Sequence, residues 1–390
     1  MVEVFKQLSQ YVERPAVLPR HLFMGEGAFM ASFKRIGFDM AAISLAKQIV
    51  DEVAQWRDVQ VVYPDVVKWA SALPPTAVLT DTKGQPFTST YWTKKQLGLE
   101  DSGYTGKGVK VAVVDTGCRN HHPQMAGVHI MSTMSEKGGT GYDMNGHGTW
   151  VNSCIAGKKV VDPTYGAPLE GMAPDVDLYS IQALGFVIGM GASSDTIQAL
   201  NECRELGVDL VNLSLGGESV KDEDNPEAVA IDALVSEGII PVCAAGNSGP
   251  GRATISSPGC VYNSLTVGSI NIEGGLSDFS SRGPTEDNHI KPDVTCYGER
   301  IDSGLVGYLD YQIDRPHMHY GILSGTSMST PHAVGVLSHM DELYKERNLV
   351  LDVPEVKTMM ASLSYEKNND TGWGLLDWHL MKDWIETQHG

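Results

Sequence analysis

A chain of 390 residues, 42% of them hydrophobic and 42 of them glycine, has the material for a large buried core, which excludes disorder as its dominant state. The formal net charge of -19 argues against nucleic acid as a partner, because phosphate binding needs clustered Lys and Arg. No stretch is long and apolar enough for a membrane span, and Met1-Val-Glu-Val-Phe-Lys carries charge where a secretory leader is apolar; the expectation is a chain that is cytoplasmic or released without a signal peptide.

In chain order, Ala31-Ser-Phe-Lys-Arg-Ile36 reads as a short strand. Asp39 then caps a helix whose Ile43, Ala46, Ile49, Val50 and Val53 recur at helical spacing, and Val59–Tyr63 reads as a second strand. This is a small α+β domain, assigned residues 1–75. Proline, glycine and small polar residues from Leu73 to Pro86 mark an exposed connection, and residues 76–90 are assigned as the junction. From residue 91 to 390 strand-length apolar runs alternate with helical segments, as in an α/β fold with a mostly parallel sheet covered on both faces. The expected strands are Val109–Asp115, Leu178–Ala183, Leu210–Leu215, Ile239–Ala244 and Leu265–Ile270. The expected helices are Ser194–Leu206, Pro226–Glu237 and Ser327–Lys345. Six scattered cysteines without a C-x-x-C pair predict buried thiols, with neither a disulfide framework nor a zinc site.

Four segments carry chemistry. Val109-Lys-Val-Ala-Val-Val-Asp115 is a buried strand ending in a carboxylate, which could orient an imidazole or merely cap a turn. Asn145-Gly-His147-Gly-Thr sets a histidine between glycines, which suits an open cleft better than a packed core. Ala244-Ala-Gly-Asn247-Ser-Gly ends a strand in a tight turn, where an amide can donate to an oxyanion or simply sit in a left-handed turn. Ser324-Gly-Thr-Ser327-Met-Ser-Thr-Pro331-His starts a helix with a serine, either an N-cap or a nucleophile facing the positive end of the helix dipole.

The four together, in the order Asp, His, Asn, Ser, resemble the subtilisin family of serine proteases from about residue 88 to the C-terminus, supported by Leu213-Ser-Leu-Gly-Gly217, Phe279-Ser-Ser-Arg-Gly-Pro284 and Lys291-Pro-Asp-Val. The resemblance implies the three-layer subtilisin-like fold and serine endopeptidase activity. It implies Ser327 as nucleophile, His147 as general base and acid, Asp115 as the residue orienting it, and Asn247 as oxyanion donor. Ser214, Leu215 and Gly216 would pair with an extended substrate, Ala245 and Gly246 would form the opposite wall of a pocket for large apolar side chains, and proteins or peptides would be the substrates. It also implies that the first domain is a prosegment, an intramolecular chaperone and inhibitor. Its end, Val62–Leu73, would lie in the cleft, and autoprocessing would fall within Ala77 to Thr88, because Pro74 and Pro75 block an earlier cut.

Three positions depart from the pattern. Trp150 stands where a second histidine is common and Ser329 where alanine is frequent. Gln124 stands where many members have an acidic ligand for structural calcium, and the loop from Lys158 to Leu169 is unlike the usual calcium loop, so the usual site reads as degraded. The insertion Gly217–Glu227 makes the pocket rim acidic, either as a solvated surface or as a preference for basic residues. The alternative function is a catalytically silent binding protein on the same fold. An esterase is disfavoured because G-T-S-M-S lacks a glycine of the nucleophile elbow, a nucleotide site because Gly189-Met-Gly191-Ala-Ser-Ser lacks the third glycine, and a metal site at His317-Met-His319 because further ligands are missing.

Overall fold

The computed structural model describes residues 67–70, 87–134, 138–185, 189–306, 319–363 and 366–389. The chain divides into two compact units, one comprising Met1–Val66 with Ser135–Gly138, the other Val67–Met134 with Gly139–Gly390. The expected elements at 31–36, 39–56 and 59–63, and most of the expected processing window, lie outside the described residues.

The second unit contains β1 (Val67–Ala70), β2 (Thr88–Ser89), α1 (Thr90–Gln96), β3 (Lys110–Asp115), β4 (His129–Ser132), α2 (His147–Ala156), β5 (Val160–Val161), β6 (Pro168–Leu169), β7 (Asp177–Gln182), β8 (Met190–Ala192), α3 (Ser193–Leu206), β9 (Leu210–Leu213), β10 (Leu215–Gly216), α4 (Pro226–Ser236), β11 (Ile240–Ala244), β12 (Leu265–Ile270), β13 (Val294–Tyr297), β14 (Ile301–Gly304), β15 (Tyr320–Leu323), α5 (Thr326–Glu346), α6 (Val353–Leu363) and α7 (Trp378–His389). Seven strands form one sheet in the order β13-β12-β11-β9-β3-β7-β4, and every pairing within it is parallel.

The two-residue side-chain period of a strand explains the layers. Along β3, Val111 and Val113 enter one core with Trp150, Met328 and Val334, while Ala112 and Val114 enter a second with Leu200 and Ile231. Helices α2 and α5 therefore cover one face, α3 and α4 the other, giving the three-layer α/β/α architecture expected. Strand β12 has the residues predicted for it, and the other four predicted strands and three predicted helices begin or end within one or two residues of expectation. Helix α2 starts at His147 itself, and its glycines explain why. Gly146 precedes the helix at φ +102°, and a Cβ there would meet Val306 O at 2.5 Å; a Cβ at Gly148 would meet Gly117 O at 2.2 Å. They serve the start of the helix and its close approach to the end of β3.

Strands β11, β9 and β3 are neighbours in the sheet and run in the same direction, so their carboxyl ends lie side by side. That edge is where an open α/β sheet presents its ligand crevice. A separate three-stranded sheet sits there: β1 pairs antiparallel with β10, Trp69 opposite Gly216 and Ala70 opposite Leu215, and with β8, Val67 opposite Ala192 and Trp69 opposite Met190.

Candidate active site

Each side chain singled out in the sequence sits at the end of a core element. Asp115 ends β3, Ser214 follows β9, Asn247 follows β11 by a turn whose Gly246 has φ +106°, His147 opens α2 and Ser327 is the second residue of α5. Asp115 and His147 are buried together, with His147 Nδ1 at 2.8 Å from Asp115 Oδ1 and 3.0 Å from Oδ2. A nitrogen facing a carboxylate carries the proton, which leaves Nε2 as the basic end. Nε2 is buried and has no hydrogen-bond partner among the described residues. Ser327 Oγ is not bonded to it here and donates instead to Ser214 O at 3.0 Å. A loose Ser–His contact is common before substrate binds.

Two residues that sequence reasoning passed over organise this pair. Asp143 is fully buried and accepts from Thr116 Oγ1, Asn145 N–H, Gly146 N–H, Thr149 N–H and Thr149 Oγ1 at 2.6 to 3.0 Å. Burial pushes its carboxyl upward, and those donors offset only part of that rise. Thr116 Oγ1 in turn accepts from Gly148 N–H at 2.8 Å, tying the end of β3 to the start of α2. The only hint in the sequence was an acidic residue four positions before His147.

Pro331 affects the site through a missing donor. Its absent N–H would have bonded to the carbonyl four residues earlier, which is Ser327 O. That oxygen accepts from Ser214 Oγ at 3.0 Å, and Asn212 Nδ2 donates to the same Ser214 oxygen at 2.9 Å. The proline thus frees the contact that joins the start of α5 to the edge of β9.

Asn247 is oriented by Thr326, a third residue the sequence reading passed over. Asn247 Oδ1 accepts from Thr326 N–H at 2.8 Å and Thr326 Oγ1 at 3.0 Å, which leaves the amide NH2 as the end free to donate to a substrate oxygen. Thr326 Oγ1 also accepts from Gly246 N–H at 3.1 Å, so one hydroxyl fixes both the turn and its asparagine.

The two expected pocket walls are joined by residues 255–257. Ser256 N–H donates to Ala245 O at 2.9 Å, and Gly217 and Ser257 exchange backbone hydrogen bonds at 2.9 and 3.2 Å. Leu215 and Gly216 form the strand β10 that pairs with β1. One expectation about the rim is corrected. Glu227 is not on it: the side chain is buried at the start of α4 and accepts from Ser257 Oγ at 2.8 Å, behind the wall.

Other candidates resolve simply. Cys118, three residues after Asp115, is fully buried and its thiol is pushed well above its ordinary range by that burial, so it is no nucleophile. All six cysteines are free and buried, as expected. Trp150 is a core residue whose Nε1–H donates to Gly321 O at 3.0 Å. Gly191 belongs to strand β8. His317 lies outside the described residues, and His319 O accepts from His122 Nε2 at 2.6 Å.

A family model described as "Subtilase family" matches residues 106–374. Serine protease AprX of Bacillus subtilis (strain 168) is 33% identical over 290 residues, 69% of this chain and 64% of that protein. The major intracellular serine protease of the same strain is 35% identical over 245 residues, 60% of this chain and 69% of its own length. Subtilisin Savinase of Lederbergia lenta is 32% identical over 257 residues, 63% of this chain and 79% of its own length. The match to the first of these covers less than two thirds of that relative.

Proposed function

The chain belongs to the subtilase family, and from that premise we propose that it is a serine endopeptidase acting through Asp115, His147, Ser327 and Asn247. The observation that carries the reading is the buried Asp115–His147 hydrogen bond, which leaves Nε2 without a partner among the described residues, on a helix packed against the one that carries Ser327 in its first turn. In the acylation step Ser327 Oγ attacks the scissile carbonyl while His147 Nε2 takes its proton. The oxyanion that develops accepts hydrogen bonds from Asn247 Nδ2 and the Ser327 N–H. As the C–N bond breaks, the imidazolium returns the proton to the leaving amine. Water then repeats the sequence on the acyl-enzyme, restoring Ser327. Asp115 keeps the Nδ1 proton in place and stabilises the imidazolium without itself taking a proton.

Substrate is held as a strand between β8 and β10. Support comes from β1, a segment of this chain that already pairs antiparallel with both. Main-chain pairing of this kind gives affinity with little sequence preference, and the pocket between Ser214–Gly216 and Ala245–Gly246 selects a large apolar side chain. The same pairing supports the reading of the N-terminal region as a prosegment that occupies the cleft until it is cut. Wild-type protein should shorten from its N-terminal side on storage while Ser327→Ala keeps its full length. A wild type that stays intact and fully active contradicts the prosegment, and hydrolysis undiminished in Ser327→Ala contradicts the nucleophile.

Calcium, the metal implied by the family, finds a donor set of a different composition from the usual one. Gln124 Oε1, Asp162 Oδ2 and both Asp302 carboxylate oxygens are buried and lack hydrogen-bond partners among the described residues. Burial, reinforced by the facing Asp162 carboxylate, pushes Asp302 up to about 8. Gln124 Oε1 lies against Gly304, 2.7 Å from where a Cβ would stand, on the same face of β14 as Asp302. Oxygen-only donors with two carboxylates suit this hard cation, which would neutralise the pair and brace the loop between β5 and β6. In Ser327→Ala protein, calcium should raise the melting temperature, and Asp302→Asn should remove most of that rise. An unchanged rise in Asp302→Asn rejects the assignment.

A further inference from the structure

The insertion that follows the substrate edge is folded back onto a second loop, and the contact is built from metal-ligating groups. Gly217, paired with Ser257, leads from β10 into the insertion, and five residues later Asp222 opens a short 3-10 turn, Asp222–Asp224. Its backbone N–H donates to Asp287 Oδ2 at 2.8 Å, and its Oδ2 accepts from the Tyr262 N–H at 3.0 Å. Its other carboxylate oxygen, Oδ1, is sealed from solvent and has no hydrogen-bond partner among the described residues.

His289 completes the group. Its ring rests on Tyr262 with 4.8 Å between centroids, and its backbone is fixed by Thr285, through Thr285 Oγ1 at 3.1 Å and the Thr285 N–H at 3.0 Å. One ligand atom from each of Asp222, Asp287 and His289 lies within 4.8 Å of the other two. Among the described residues no lysine or arginine forms an ion pair with either carboxylate. Lys357 sits over the Tyr262 ring and donates to Tyr262 O and toward Asp293, away from either carboxylate.

We propose that Asp222, Asp287 and His289 bind a divalent transition ion of the zinc type, and that this ion pins the insertion beside the substrate edge β10. Two carboxylates and one imidazole are a borderline donor set, suited to zinc at bond lengths of about 2.0–2.2 Å. Atoms so bound stand roughly 3–4 Å apart, a spacing these three side chains reach with small rotations. Water fills the remaining positions. The site is chemically distinct from the oxygen-only group at Asp162 and Asp302, and it does not depend on the peptidase reading.

The test uses the full chain carrying Ser327→Ala, so that self-digestion cannot intrude, titrated with cobalt(II) and then zinc after treatment with chelator. The expected result is ligand-field absorption saturating at one cobalt per chain, displaced by one equivalent of zinc. Both His289→Gln and Asp287→Asn, added to Ser327→Ala, should weaken zinc binding at least tenfold while melting with their parent in chelator. Either an absence of saturable cobalt binding in the parent or undiminished zinc binding in both variants overturns the proposal. The parent titration decides the matter even where a variant fails to fold.

Discussion

If Asn247 is the oxyanion donor proposed above, Asn247→Ala removes a group that acts only on charge formed in the transition state, so its cost falls on turnover and spares affinity. The expected drop in kcat is about 10²–10³-fold, the size measured when the equivalent donor of a subtilisin is removed, with KM nearly unchanged in steady-state kinetics on a peptide amide. A loss confined to KM contradicts the role. Thr326→Val is a finer probe, because it deletes the hydroxyl that donates to Asn247 Oδ1 and accepts from Gly246 N–H. Losing one such bond is worth about 1–1.5 kcal/mol, a five- to tenfold fall in kcat. A fall as large as that of Asn247→Ala would mean that Thr326 does more than orient the amide. At this scale the chemically distinctive residues were legible: Asp115, His147, Asn247 and Ser327 lie in glycine-flanked or helix-starting segments. Thr326 and Asp143 were not, because their roles rest on hydrogen bonds that only folding creates, such as Thr326 to a residue 79 positions away.

Secondary elements were read best where burial is complete on both faces. Strand β12 is buried at every residue, its Leu265, Val267 and Ile270 interleaved only with small residues, and its limits could be read directly. Strand β4, His129–Ser132, is an edge strand with no fully buried residue, so its pattern does not stand out from a loop. The C-terminal elements are held by a charge network that no periodicity reveals. Asp293, fully buried, accepts from Lys291 Nζ at 2.7 Å and Lys367 Nζ at 2.6 Å, with Lys357 Nζ at 3.9 Å. The three ammonium groups hold its carboxyl far below the usual range despite burial. Asp293→Asn leaves Lys291 buried beside a neutral amide, and breaking a pair of this kind costs about 3–5 kcal/mol. Urea denaturation of Ser327→Ala with and without the change measures it; a loss under 1 kcal/mol would show the network to be dispensable.

For the whole molecule, acid is the sensitive direction. His332 and His339 both sit in α5 and are buried, and burial lowers each to about 4 from an ordinary value near 6.5. His332 is further committed as a neutral ring, with Nδ1–H donating to Met328 O at 2.7 Å and Nε2 left to accept from Thr93 Oγ1 at 2.7 Å. Between pH 6.5 and 4 the unfolded chain holds more protons than the folded one, so stability falls as pH falls through that window and is unaffected by these groups above it. Replacing His339 by Gln should reduce the slope of unfolding free energy against pH by about one proton between pH 6 and 4.5. An identical slope would assign the acid lability to other groups.

At this same scale the layered α/β architecture was evident from alternating apolar runs and helices, whereas the seating of β1 between β8 and β10 was not. Backbone pairing leaves no mark on side-chain pattern, and only the resemblance suggested a strand in the cleft. The central claim is that Ser327 is a nucleophile activated by His147, and covalent labelling with a fluorophosphonate probes it without any assumption about substrate. Protein incubated with the probe and mapped by peptide mass spectrometry should carry one adduct, on Ser327, formed rapidly in wild type and at least a hundredfold more slowly in His147→Ala. An unlabelled Ser327 in folded wild-type protein freed of its N-terminal region, or equal labelling in the two proteins, would contradict it.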